Sequence, residues 1–200
     1  MTEEAANPMC GRESASQRRF LAIPPSEKYN DPTRRSPEAG DPMEFVSPSK
    51  GRMSFDEVFA DLIAYVQEQP EAQYKVIVGT DSQVIDGVTC FVTAIIVYRQ
   101  GKGARYYYTR EREAMGRSLR QRIYYETSRS LGLASRLAEK LAENGHADLN
   151  VEIHLDVGER GETRDLIREV VGMVSGSGFD ARIKPDSYGA STVADKYTKS

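Results

Sequence analysis

The stretch that decides the fold is Tyr74-Lys75-Val76-Ile77-Val78-Gly79-Thr80-Asp81-Ser82-Gln83, in the middle of a chain of 200 residues. Its run of apolar and β-branched residues is typical of a strand that is buried in the centre of a sheet. The run ends on a glycine and then on Asp81, and a carboxylate delivered by a buried strand needs a partner. The function of the chain therefore depends on which other acids the fold brings to Asp81.

Upstream of this strand the sequence changes character twice. Residues 1–43 hold six of the nine prolines among many Ser, Glu and Arg, so we predict a disordered N-terminal tail with too little apolar surface to fold. Residues 44–200 are predicted to form one folded domain. Within it, Ser54-Phe55-Asp56-Glu57 fits a capping box, and the apolar residues that follow predict an amphipathic helix over 55–67.

Three strands joined by tight turns predict an antiparallel meander. The first strand covers 74–81, and Asp86-Gly87 is a hairpin signal that leads into the apolar run 88–98. A glycine-rich turn then leads to a third strand, 104–109. Cys90, in the second strand, is expected to be a small core residue, and a chain with two cysteines cannot build a disulfide framework.

Helices and strands alternate after the meander. Apolar spacing predicts helices over 113–144, 166–174 and 190–198, and strands over 151–155 and 179–183. Gly132 is a weak point at which the long helix could break. Because strand–helix–strand crossovers join parallel strands, the predicted fold is α/β. It is a five-stranded mixed sheet flanked by helices, with strands 1–3 antiparallel and strands 1, 4 and 5 parallel.

Four further acids are candidates to join Asp81. Asp156 ends the fourth predicted strand, and two carboxylates on parallel neighbouring strands repel each other unless a hard divalent cation such as Mg²⁺ bridges them. Glu126 lies on or beside the sheet-facing side of the long helix. The set of four acids would be completed by Asp195 in the last helix or, as the alternative, by Asp186 after the last strand. Turn aspartates and an exposed, salt-bridged glutamate are the alternative interpretations.

The element order and three motifs resemble the YkuK-type branch of the ribonuclease H-like superfamily. The motifs are Gly79-Thr80-Asp81-Ser82-Gln83, His154-Leu155-Asp156-Val157-Gly158, and Lys184-Pro185-Asp186-Ser187-Tyr188 with Ala194-Asp195. The resemblance covers the chain from about residue 45 onward and excludes the N-terminal tail. The helix before the first strand departs from the simplest ribonuclease H layout.

This resemblance implies a catalytic set of Asp81, Glu126, Asp156 and Asp195 that binds Mg²⁺ or Mn²⁺. Asp186 is the alternative to Asp195 as a metal ligand. His154 points to the same side of the sheet as Asp156 and is a candidate for proton transfer or product release. The implied activity is a divalent-metal-dependent nuclease that hydrolyses RNA, DNA or a hybrid by a two-metal mechanism. The alternative is a non-catalytic module that binds nucleic acid or protein through a degenerate site.

A basic stretch between Arg99 and Arg129 supports a nucleic-acid partner, although the net charge of the chain is −3. Arginines pair with phosphates and tyrosines stack on unpaired bases. The candidate contacts are Arg110, Arg117, Arg120 and Tyr107. The alternative is a solvated helix face, with the strand tyrosines packed in the sheet.

The remaining features concern location. No apolar run approaches the roughly 20 residues that a membrane-spanning helix needs. The first residues lack the positive and then apolar layout of a signal peptide. We therefore expect a cytoplasmic protein with no membrane partner. The sequence leaves the choice between RNA and DNA, the biological pathway and the oligomeric state open.

Overall fold

A computed structural model of the chain describes residues 43–115, 118–158 and 163–198, and one mixed sheet runs through them. Its strands are β1 Phe45–Ser47, β2 Gly51–Met53, β3 Tyr74–Ile85, β4 Val88–Arg99, β5 Gly103–Glu113, β6 Val151–His154 and β7 Asp180–Arg182. The helices are α1 Phe55–Gln67, α2 Leu119–Glu143, α3 Ile167–Gly176 and α4 Tyr188–Thr198, with a 3₁₀ turn at Arg164–Leu166. The predicted tail lies outside the described residues, apart from Met43.

The strand order β2-β1-β5-β4-β3-β6-β7 confirms the α/β class and the mixed sheet. Strands β3, β4 and β5 are antiparallel neighbours, and β6 and β7 join β3 in parallel. The predicted count of five strands is wrong, because β1 and β2 add two at the other edge. Each has three residues, which is too short for an alternating pattern to be recognised in the sequence.

Strand β3 is longer than predicted, and this changes the position of Asp81. The strand continues to Ile85 and pairs with β4 along its whole length, so Asp81 lies inside the ladder opposite Val92. The hairpin that joins the two strands is the predicted Asp86-Gly87 turn, with φ of 51° and 82°. Two positive φ angles are what a type I′ hairpin requires. The Asp81 carboxylate is therefore presented on a face of the sheet rather than at a strand end.

Side chains of β3 alternate between two covered faces of the sheet. Val76 and Val78 join the main core under α1, α2 and α3. Ile77 packs in a smaller cluster with Val193 of α4. Alternation from Ile77 puts Asp81 on the α4 face.

Helix α1 forms as the sequence predicts. The Ser54 hydroxyl accepts a hydrogen bond from the Glu57 N–H at 3.2 Å, and the Ser54 N–H donates to Glu57 Oε2 at 2.7 Å. These two bonds form the capping box, and the bounds Phe55–Gln67 agree with the predicted helix.

Helix α2 is continuous through Gly132, so the glycine does not break it. It begins at Leu119, later than predicted, because β5 continues to Glu113. One buried hydroxyl contact holds it on the sheet: Thr80 Oγ1 lies 2.9 Å from Ser130 Oγ of the helix, and it also lies 3.0 Å from Thr93 Oγ1 of the neighbouring strand β4. The contact with Ser130 places the preceding turn of α2, which carries Glu126, beside β3.

Cys90 is buried and free in β4, as expected of a core residue. Among the described residues, no helix is both long enough and apolar enough to cross a membrane.

Candidate metal-binding site

Strands β3 and β6 bring two of the predicted acids to the same place. The strands are parallel, and Gly79 lies opposite His154 in their register. Strand β6 ends at His154, and an extension of its register by two residues, into the segment that follows, puts Asp156 level with Asp81. Alternation places both side chains on the α4 face, because Asp156 is two residues beyond His154, which contacts α4.

Helix α2 adds Glu126 to this pair through Ser82. The Ser82 hydroxyl donates to Glu126 Oε1 at 2.5 Å. The backbone N–H of the same serine donates to Asp81 Oδ1 at 2.8 Å. One residue of β3 therefore links the helix carboxylate to the strand carboxylate.

The pKa of the Glu126 carboxyl depends on both aspartates. The pKa of Glu126 is raised to about 8: burial is the largest cause, and the negative charges of Asp81 and Asp156 also contribute to the rise. The Ser82 hydroxyl and the Arg122 guanidinium oppose this rise by favouring the ionised form. Asp81 and Asp156 thus both act on the Glu126 carboxyl and favour its protonated form.

This raised pKa predicts how stability depends on pH. Between about pH 5 and pH 8 the unfolded chain has released the Glu126 proton while the folded chain retains it, so the free energy of unfolding falls as pH rises. Glu126→Gln has no proton to release, so its free energy of unfolding should not show this fall as pH rises. In chelator, we expect the variant to gain about 3–4 kcal/mol relative to the wild type from pH 5 to pH 8.

Urea denaturation at several pH values measures the difference, and Glu139→Gln is the matched control because Glu139 is exposed on the same helix. Parallel pH dependence in wild type and Glu126→Gln would contradict the raised pKa.

Three residues that sequence analysis did not assign to the site hold the acids in place. Ser82 is described above. Arg122 Nη1 lies 3.1 Å from the Ser82 hydroxyl and 3.4 Å from the Ser82 carbonyl oxygen, to both of which it donates. Lys184 Nζ lies 2.9 Å from Asp156 Oδ1. The sequence held signals for two of them: Arg122 is one helical turn before Glu126, and Ser82 follows Asp81.

Comparison with known proteins agrees with this geometry. A family model described as Ribonuclease H-like matches residues 57–199. The chain belongs to the ribonuclease H-like family.

A curated relative extends this ribonuclease H-like match along most of the chain. The chain is 38% identical over 168 residues to "Uncharacterized protein YkuK" of Bacillus subtilis (strain 168), an alignment that covers 78% of this chain and 96% of that protein. No solved structure matches the chain. The resemblance seen in the sequence is thereby confirmed for the family.

The donor chemistry of this ribonuclease H-like site suits a hard cation, because carboxylate oxygens that repel one another are what Mg²⁺ and Mn²⁺ neutralise. Its side chains are not yet arranged as a coordination sphere. Within residues 43–115, 118–158 and 163–198, no three His, Cys, Asp or Glu side chains form a group that could hold a metal ion. Glu126 is turned to Ser82, and Asp156 is paired with Lys184.

The fourth acid has two candidates. Asp195 belongs to α4, which packs on β3 and β4, but its side chain lies outside the described residues. Asp186 is exposed in the turn before α4, where its backbone N–H donates to the Ile183 carbonyl at 2.8 Å. That position fits the alternative interpretation of a turn aspartate.

His154 packs between β6 and α4, and its predicted part in proton transfer stays a prediction. Its side chain is 2% exposed, and its Nδ1 accepts from the Gly189 N–H at 3.3 Å. A Cβ at Gly189 would lie 3.3 Å from the same nitrogen, so the glycine permits this close approach of α4 to β6. Burial is the main cause that lowers the pKa of His154, although Glu152 opposes it.

The basic stretch is divided among several locations by the fold. Tyr107 is fully buried in the main core and its hydroxyl donates to Asp61 Oδ2 at 2.7 Å, so the prediction that it stacks on bases is wrong. Arg120 is exposed and pairs with Glu169 at 2.8 Å. Arg110 donates to the Tyr197 carbonyl at the end of α4. Arg117 lies outside the described residues.

Other arginines of the stretch are also engaged within the fold. Arg99 and Arg105 both pair with Glu68, and Arg129 pairs with Glu111. In the described part of the stretch, much of the positive charge is thus used in ion pairs within the fold. Strand alternation explains this, since neighbouring residues of β5 face opposite sides of the sheet.

Proposed function

We propose that this ribonuclease H-like protein is a divalent-metal-dependent nuclease that hydrolyses phosphodiester bonds of RNA, DNA or a hybrid. The observation that carries the proposal is that Ser82 links Asp81 of β3 to Glu126 of α2, while Asp156, from the segment after β6, lies close enough to raise the pKa of Glu126. Burial of a glutamate beside two aspartates disfavours its ionised form. Strongly perturbed carboxyl groups of this kind cluster at functional sites.

In this proposal the acids hold Mg²⁺ or Mn²⁺, with Asp195 as the preferred fourth ligand and Asp186 as the alternative. When bound, two such cations supply an activated water and stabilise the leaving oxygen. Ser82 orients Glu126 through its hydroxyl, and Arg122 favours the ionised form of that glutamate. Exposed arginines such as Arg120 are the candidate contacts for substrate phosphates.

The direct test is cleavage of labelled nucleic acid. The full chain is incubated with single-stranded RNA, single-stranded DNA, their duplexes and a hybrid, in Mg²⁺, in Mn²⁺ or in chelator. We expect at least one substrate to be cut in the metal-containing reactions and none in chelator. Cleavage that is insensitive to chelator would contradict a metal-dependent reaction, and absence of cleavage of every substrate would contradict the nuclease.

A second candidate function is a module that binds nucleic acid or protein without catalysis. Two observations favour it: the described carboxylates are engaged with Ser82 and Lys184, and most described arginines of the basic stretch are paired within the fold. Salt-sensitive nucleic-acid binding without metal-dependent cleavage would support this function over the nuclease.

A further inference from the structure

Lys184 reaches the candidate site from the loop after β7. Its ammonium nitrogen lies 2.9 Å from Asp156 Oδ1, a direct ion pair. The lysine side chain is 53% exposed and that of Asp156 is 26% exposed, so the pair is partly open to solvent. The Oδ1 atom itself is buried, and the lysine contacts it as an ion pair that does not satisfy it as a hydrogen bond.

The backbone fixes the lysine in this position. The Lys184 N–H donates to the Val157 carbonyl at 2.9 Å, which ties the loop to the segment that follows β6. A Cβ on Gly158 would lie 3.3 Å from Lys184 Cβ, so the glycine leaves room for the base of the lysine side chain. The glycine of the His154–Gly158 motif and the lysine of the Lys184–Tyr188 motif thus form one local arrangement.

We propose that Lys184 is an intrinsic competitor for a divalent cation at Asp156, so that its ammonium must be displaced before a cation binds this carboxylate. The inference rests on the proposed metal site. A cation and an ammonium both require the Asp156 oxygen, and two positive charges at one carboxylate oxygen repel each other. The lysine therefore lowers the affinity of the site for divalent cations without contributing a ligand.

The size of the effect follows from the exposure of the pair. Partly exposed ion pairs are worth up to about 1 kcal/mol, and the competitor weakens cation binding by the same free energy. Removing it should tighten Mn²⁺ binding by about three- to fivefold.

The test is a titration of the full chain with Mn²⁺ alone, in which the resonance signal of free Mn²⁺ is followed without nucleic acid. Lys184→Gln should bind Mn²⁺ about three- to fivefold more tightly than the wild type. Lys184→Arg keeps the positive charge and should stay within about twofold of the wild type. Asp156→Asn should weaken binding strongly in both the wild-type and the Lys184→Gln backgrounds.

Lys75→Gln is the matched control for loss of one positive charge. Lys75 pairs with Glu152 at 3.3 Å on the same two strands, about 20 Å along β3 from Asp81. We expect Lys75→Gln to leave the Mn²⁺ affinity within about twofold of the wild type, because charge at that distance is screened.

The outcomes separate the two proposals. Unchanged affinity in Lys184→Gln, with binding still lost in Asp156→Asn, would overturn the competitor and leave the metal site standing. Equal tightening in Lys184→Gln and Lys75→Gln would also overturn it, because the effect would then be one of net charge. If Asp156→Asn left the affinity for Mn²⁺ unchanged, or if no variant bound Mn²⁺, both the competitor role of Lys184 and the proposed metal site would be overturned.

Discussion

Asp81→Asn is expected to reduce metal-dependent cleavage by at least about a hundredfold. Mutation of residues that only hydrogen-bond to metal ligands already lowers activity by about 10–100-fold, and Asp81 is proposed as a ligand itself. The substitution keeps the shape of the side chain and its capacity to accept the Ser82 N–H bond, and it removes the negative charge. Folding should be preserved, since one carboxylate less lowers the repulsion around Glu126. Initial cleavage rates on the best substrate measure the effect.

Asp86→Asn is the matched control for this substitution. Asp86 lies exposed at the tip of the hairpin formed by the same strands, and its φ of 51° is a conformation that asparagine adopts readily. It should cleave at a rate within about twofold of the wild type, as surface substitutions away from a site usually do. Full activity in Asp81→Asn would exclude the proposed mechanism, and equal loss in both variants would point to net charge rather than to the site.

The largest effect on stability is expected at Asp61 of α1. Its side chain is 5% exposed and accepts hydrogen bonds from Lys50 at 2.6 Å, Arg105 at 2.9 Å and the buried Tyr107 hydroxyl at 2.7 Å. Asp61→Ala leaves these donors without their acceptor and leaves the arginine without its buried countercharge. We expect the free energy of unfolding to fall by about 3–5 kcal/mol, measured by urea denaturation.

Glu44→Gln is the control, because its ion pair with Arg52 is exposed and should be worth less than about 1 kcal/mol. Burial raises the pKa of Asp61, but the bonds from Lys50 and Tyr107 and the charge of Arg105 outweigh it and lower the pKa. The contribution of Asp61 is therefore present above the pKa of an unfolded aspartate and lost as pH falls through its lowered value. A change below about 1 kcal/mol in Asp61→Ala would show that the donors find other partners.

The prediction for Asp61 shows what a sequence pattern misses. Arg105 and Tyr107 were prominent in the sequence as parts of a basic, tyrosine-rich stretch. Which side of the sheet each residue faces depends on the register of β5 with β4, and both residues face α1 rather than solvent. Local composition carries the charge of a segment, but the pairing of strands decides which of these charges remain exposed.

Local patterns predicted the helices and the central strands well. The capping box and apolar spacing gave the bounds of α1, and the Asp86-Gly87 signal gave the β3–β4 hairpin, because both depend on a few neighbouring residues. The short strands β1 and β2 were missed, since three residues carry too little pattern. The end of β3 was placed four residues early, because the partner strand β4 extends the ladder beyond the apolar run.

Periodicity, connection rules and motifs were enough to predict a buried strand with Asp81, a parallel neighbour followed by Asp156, and the ribonuclease H-like family. The packing of the folded chain is what turns Glu126 to Ser82, pairs Lys184 with Asp156 and buries His154 under α4. Each of these contacts joins residues far apart in the chain, and their approach depends on how helices and loops pack on the sheet, which no local pattern encodes.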